Sequence, residues 1–114
     1  MRWATTWIGI ADDAVCLAFE VPPELRDDYR FAAGQHLAVR IDSAGQERRT
    51  YSIVSPEGSA ELRIGVREQA QGRVSPYLAR HLAVGESIDV LTPNGSFHTR
   101  IEPLRAKRYV AFAA

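Results

Sequence analysis

Apolar and polar residues alternate with period two along several short stretches, the mark of half-buried β-strands. In 14–20, Val15, Leu17 and Phe19 share one face. In 36–41, Leu37, Val39 and Ile41 oppose His36, Ala38 and Arg40. In 61–67, Leu62, Ile64 and Val66 oppose Glu61, Arg63 and Arg67, and Ile88 with Val90 forms a shorter run of the same kind. Breakers punctuate the runs: Pro22-Pro23, Gly34, Ser43-Ala44-Gly45, Pro56-Glu57-Gly58, Gly85 and Pro93-Asn94-Gly95. Short strands joined by such turns predict an all-β sandwich or small barrel. One segment predicts a helix, with Ser75 as N-cap, Pro76 in the first helical position, Tyr77, Leu78, His81 and Leu82 at helical spacing, and Gly85 beyond its end. Residues 24–30 suit a further short helical turn.

Two stretches depart from this pattern. Residues 48–54 put Arg49, Tyr51 and Ile53 on one face and Thr50, Ser52 and Val54 on the other, so neither face is cleanly apolar. Tyr109 to Ala114 form a nearly pure apolar run after Arg105, Lys107 and Arg108. Such a run resembles the buried first strand of a parallel sheet more than the close of a barrel.

At 114 residues the chain suits one domain. Its 46% hydrophobic and 25% charged residues are ordinary for a globular protein. Net charge is zero, so no global field calls for nucleic acid or an anionic membrane. The charge is uneven: residues 1–30 hold six acids against three arginines, and residues 31–114 hold eight acids against eleven bases. That leaves room for a local anion site or for plain solvated surface charge. The single cysteine, Cys16, excludes an internal disulfide and points to a reducing compartment. No stretch reaches transmembrane length and the N-terminus lacks an apolar signal region, so a cytoplasmic location is expected.

The candidate chemistry lies in two elements. Arg49 offers a fork of donors matched to phosphate oxygens, and Tyr51, two residues on, offers a flat ring with a polar tip. The same residues also suit an edge strand with Arg49 merely solvated. Gly72-Arg73-Val74-Ser75 stands at the expected helix start, where unpaired N–H groups can receive an anion; a plain capped helix is the other reading. Together they describe a diphosphate between an arginine and a helix start, with a flat ring beside a tyrosine.

Arg49-Thr50-Tyr51-Ser52 resembles the Arg-x-Tyr-Ser flavin motif of the ferredoxin–NADP reductase superfamily, and Gly72-Arg73-Val74-Ser75 is similar to its Gly-x-x-Ser pyrophosphate motif. Gly34-Gln35, Ile53-Val54-Ser55, Gly65-Val66-Arg67 and Pro93-Asn94-Gly95-Ser96-Phe97 fall where that family has similar segments. The resemblance runs from about residue 3 to the end. It is nearest to bacterial flavin/iron–sulfur reductases that feed electrons to oxygenases, those of the phenylacetyl-CoA epoxidase type among them. It implies a six-stranded antiparallel Greek-key barrel with one short helix, over residues 1–108, that binds FAD. Residues 109–114 would be the first strand of a nicotinamide-binding domain missing from this chain.

By the same resemblance, Arg49 would pair with the flavin phosphate, Tyr51 would stack on the isoalloxazine, and Ser52 would hydrogen-bond near N5. Gly65, Val66 and Arg67 would border the ring and ribityl chain, and Gly72 to Ser75 would hold the pyrophosphate, favouring FAD over FMN. NAD(P)H would be the hydride donor only in a longer enzyme, and the acceptor an iron–sulfur protein or oxygenase. Strict alternation sends Ser52 away from Tyr51, which leaves two options: an irregular strand, or a contribution from the Ser52 backbone N–H.

Other residues read as bland. His36, His81 and His98 lack metal-ligand spacing, Cys16 reads as a small packing residue, and an edge strand or barrel-mouth packing accounts for Trp3 and Trp7. The rival function is a binding barrel without flavin; zero net charge and few strand aromatics argue against a nucleic-acid version.

Overall fold

The computed structural model describes the backbone of residues 2–41 and 47–112, and side chains from residue 8 onward other than Ser87. Among the described residues six antiparallel strands form the fold: β1 (Arg2–Ala11), β2 (Ala14–Phe19), β3 (His36–Ile41), β4 (Glu47–Ser52), β5 (Leu62–Arg67) and β6 (Ser87–Val90). Their spatial order is β4-β3-β6-β1-β2-β5. The β1–β2 and β3–β4 pairs are neighbours in sequence, whereas β6 returns to lie between β3 and β1, a Greek-key arrangement. The two ends of this order meet at one isolated antiparallel bridge, Ile53↔Ile64. The sheet therefore curls into a barrel whose last seam is held at a point, with no continuous β4–β5 ladder.

The alternating runs place their apolar faces inward as their pattern requires. Leu37, Val39 and Ile41 of β3, Leu62, Ile64 and Val66 of β5, and Ile88 and Val90 of β6 are all buried. Val15, Leu17 and Phe19 of β2 join them. Each such side chain contributes about 1.5–3 kcal/mol relative to exposure. Cys16 and Ala18, on the other face of β2, are also buried, which agrees with a packing role for Cys16.

Several expectations need correction. Trp3 and Trp7 do not lie on an edge strand: β1 is internal, with Trp3 opposite Ile88 of β6 and Trp7 opposite Leu17 of β2. The segment expected at 24–30 shortens to a single 3-10 turn, Pro23–Leu25. Just after it, buried Tyr29 donates its hydroxyl proton to the Val90 carbonyl at 2.7 Å and ties this connection to β6. The strand expected over 48–54 ends at Ser52, and Ile53 and Val54 leave it to make the seam. The turn at 43–45 lies outside the described residues, as do Ala113 and Ala114.

The helical segment, α1, spans Val74–Pro76 as α-helix and continues through Tyr77–His81 as a π-turn. Leu82 N–H donates to the Tyr77 carbonyl, closing the wide last turn. Ser75 is not the N-cap. Arg73 holds that place without a side-chain cap, and Ser75 and Pro76 lie inside the first turn. Proline is still tolerated there, because the first N–H groups of a helix have no partner to lose. Val74, Leu78, Ala79 and Leu82 add to the barrel core.

Gly34 shows how tightly the loops are set. Its φ is +85°, and a Cβ built there would lie 1.7 Å from the Phe97 carbonyl oxygen. Beyond Phe97 the chain runs over the surface. Tyr109, Val110 and Phe112 are 66%, 82% and 96% exposed and belong to no strand. Among the described residues, no helix is long and apolar enough to cross a membrane and no cluster of three metal-ligating side chains exists.

Candidate functional site

The incomplete seam decides where a ligand can enter. Past the Ile53↔Ile64 bridge, β4 and β5 diverge and leave a cleft of about 430 Å³, within the usual size of small-molecule sites. Its walls are Arg49, Thr50, Tyr51, Ser52 and Val54 on one side, Gly65 and Arg67 on another, and Gln69, Gly72, Arg73, Val74 and Ser75 at the loop and helix start. All the candidate residues therefore converge except Val66, whose side chain is wholly buried in the core. Val54 and Gln69 were not anticipated from the sequence. Gln69 could have been suspected, since it lies in the short loop between two recognised segments.

The seam also explains why residues of both strand faces line one cleft. In the β3–β4 register, Arg49 and Tyr51 stand opposite Val39 and Leu37, on the core face, while Thr50 and Ser52 stand opposite Ala38 and His36. Ile53 donates its N–H to the Gln35 carbonyl on the β3 side, and Val54 donates to the Arg63 carbonyl on the β5 side. Backbone groups alternate sides along an antiparallel strand, so the N–H groups of Ser52 and Thr50, like that of Val54, point toward β5. Ser52 lines the cleft although its side chain stands on the other face from Tyr51.

Each charged side chain at the cleft already has a protein partner. Arg49 donates from Nη1 to the Arg48 carbonyl at 2.8 Å and from Nη2 to Glu47 Oε2 at 2.6 Å. Arg73 Nη1 donates to Glu47 Oε1 at 3.2 Å. Arg67 Nε donates to Asp13 Oδ2 at 2.9 Å, and that hydrogen bond holds the Asp13 carboxyl below its ordinary range. Tyr51 is half-buried against the core; burial pushes its phenol up, against the opposing pull of Arg49. It is thus a neutral flat ring with a hydroxyl at physiological pH.

The loop before α1 is shaped by small residues and one hydroxyl. Gly72 donates its N–H to the Gln69 carbonyl, and buried Ser75 accepts the Gln69 N–H at Oγ, 2.9 Å away. A Cβ on Gly72 would meet Ser75 Oγ at 3.1 Å and the Gln69 carbonyl at 3.2 Å. A Cβ on Gly65 would project to within 3.7 Å of Val54 Cγ1. Side chains at either glycine would fill the floor of the cleft. An open slot lined by three arginines, a neutral aromatic ring and small residues fits a ligand with a flat part and an anionic part.

The sequence model of the oxidoreductase FAD-binding domain matches residues 5–99. The chain is 38% identical over 103 residues to a 1,2-phenylacetyl-CoA epoxidase component from Escherichia coli K12, covering 90% of this chain and 29% of that one. It is 35% identical over 88 residues to the ferredoxin reductase component of 3-ketosteroid-9-alpha-monooxygenase from Rhodococcus rhodochrous, covering 75% and 25% of the two chains. Phthalate dioxygenase reductase, a solved structure, superposes with a TM-score of 0.74 at 22% identity, covering 88% of this chain and 31% of that one, and shares the fold. The chain thus spans less than a third of each of these proteins.

Proposed function

The chain belongs to the oxidoreductase FAD-binding domain family, and from that premise we propose that the cleft holds FAD as the redox centre of an NAD(P)H-dependent reductase serving an iron–sulfur protein or oxygenase. The carrying observation is the convergence of the Arg49-to-Ser52 strand and the Gly72-to-Ser75 turn on one cleft, built from segments that no ladder joins. Reductase components among the relatives support the choice of acceptor class.

In this reading Arg49 and Arg73 hold phosphate oxygens by charge-assisted hydrogen bonds. Gly72 lets the backbone close on the diphosphate, and the α1 start adds its unpaired N–H groups. Tyr51 supplies a stacking plane, while the Ser52 and Thr50 N–H groups supply donors for a ring edge. Gly65 and Arg67 border the slot, leaving the ring room to lie flat. The flavin, when bound, supplies hydride acceptance from a nicotinamide and onward transfer of single electrons. The protein's part is to orient it and set its surroundings.

The test is direct. Purified protein mixed with FAD should quench or shift the flavin emission and bind FAD more tightly than FMN. Equal affinity for the two would remove the diphosphate from the Gly72–Ser75 turn.

A further inference from the structure

Glu47 opens β4 two residues before Arg49 and on the same face of the strand. Its carboxylate bridges two guanidinium groups: Oε2 to Arg49 Nη2 at 2.6 Å, and Oε1 to Arg73 Nη1 at 3.2 Å. The arginines come from different elements, and both line the cleft. Glu47 therefore uses donors that an incoming anion would need.

We propose that Glu47 is an internal stand-in for ligand phosphate, a competitor that must release Arg49 and Arg73 for a diphosphate to bind, and so a residue that sets the affinity and anion selectivity of the site. This rests on the reading of the cleft as a flavin site. The opposite role, a scaffold that positions the arginines, is less well supported by the geometry. Arg49 keeps a second anchor through the Arg48 carbonyl without Glu47. The Arg49 and Arg73 side chains are 53% and 73% exposed, and ion pairs so exposed contribute little to rigidity. A carboxylate held at their nitrogens opposes any phosphate brought to the same place.

Glu47→Gln keeps the size of the side chain and removes its charge. The experiment titrates the wild-type chain and E47Q with FAD, with riboflavin, which has no phosphate, and with inorganic pyrophosphate; thermal unfolding checks that both are folded. Loss of competition at two partly exposed pairs should tighten FAD and pyrophosphate binding by about two- to tenfold and leave riboflavin unchanged. Unchanged or weaker FAD binding in E47Q, beside a wild type that binds FAD, overturns the proposal, as does an equal gain for riboflavin. If neither form binds FAD, the flavin reading falls by itself, and pyrophosphate still decides the role of Glu47: tighter binding to E47Q upholds it, and no difference overturns it.

Discussion

Arg49 and Arg48 are adjacent, yet the strand gives them different surroundings. Arg49 lines the cleft, while Arg48 shares the opposite face with Arg40, its partner across the β3–β4 ladder. A hydrogen bond to a charged group is worth about 1.5–3 kcal/mol, so Arg49→Ala should weaken FAD binding by at least roughly tenfold, and Arg48→Ala by much less. Equal losses in a fluorescence titration would show that the faces are misassigned. Tyr51 carries a second expectation. Burial raises its folded-state pKa above the ordinary 10.0, and Tyr29 is raised likewise by burial and by Asp28. The folded state then holds these protons where the unfolded state gives them up. Stability is full below pH 10 and drains as pH rises through that value toward the raised pKa. Urea midpoints compared at pH 9 and pH 11 should fall for the wild type and fall less for Tyr51→Phe; identical losses would remove Tyr51 as a cause. At this scale the meeting of Arg49 and Tyr51 at one cleft was legible from residue type and position. Ser75 was misread because Ser-Pro is a local signal, whereas its hydroxyl serves the N–H of Gln69 across a loop.

The strands with apolar inward faces could be read from alternation alone, because burial on one side imposes it. β1 could not. Its aliphatic pair Ile8 and Ile10 is exposed, while Gly9 stands opposite core residue Val15, so alternation of aliphatic residues does not mark its core face. Loop geometry is also a property of elements, and two glycines separate its causes. Gly34 and Gly58 have φ of +85° and +82°, so alanine at either place meets the left-handed penalty of about 1–2 kcal/mol. Only at Gly34 would the new Cβ also run into backbone, at Phe97; at Gly58 nothing lies within 4 Å. Gly34→Ala should therefore lower the denaturation midpoint clearly more than Gly58→Ala. Equal effects would mean that the Phe97 segment yields freely and does not brace the β3 entrance.

For the whole molecule, alternation and turns implied a barrel, but the cleft depends on something no local pattern states: β4 and β5 meet at one bridge and then part. That open seam lets residues of both faces of β4 line one cleft. The same scale sets what the 114 residues can do alone. After Gly95 the sequence contains no glycine, hence no glycine-rich nucleotide turn, and the exposed Tyr109, Val110 and Phe112 lie outside every strand of the barrel. To residues 1–114 taken by themselves a reduced nicotinamide would come only by collision, forgoing the positioned geometry that is worth several kcal/mol of a barrier. The chain should bind FAD yet oxidise NAD(P)H at a negligible rate with ferricyanide or cytochrome c as acceptor, whereas the same barrel extended by a nicotinamide-binding domain should turn over. Steady-state rates over a range of NADH and NADPH concentrations settle the matter. A low rate rising linearly with either nucleotide fits collision; saturable, nucleotide-selective turnover by the short chain would place a hydride-donor site within the barrel itself.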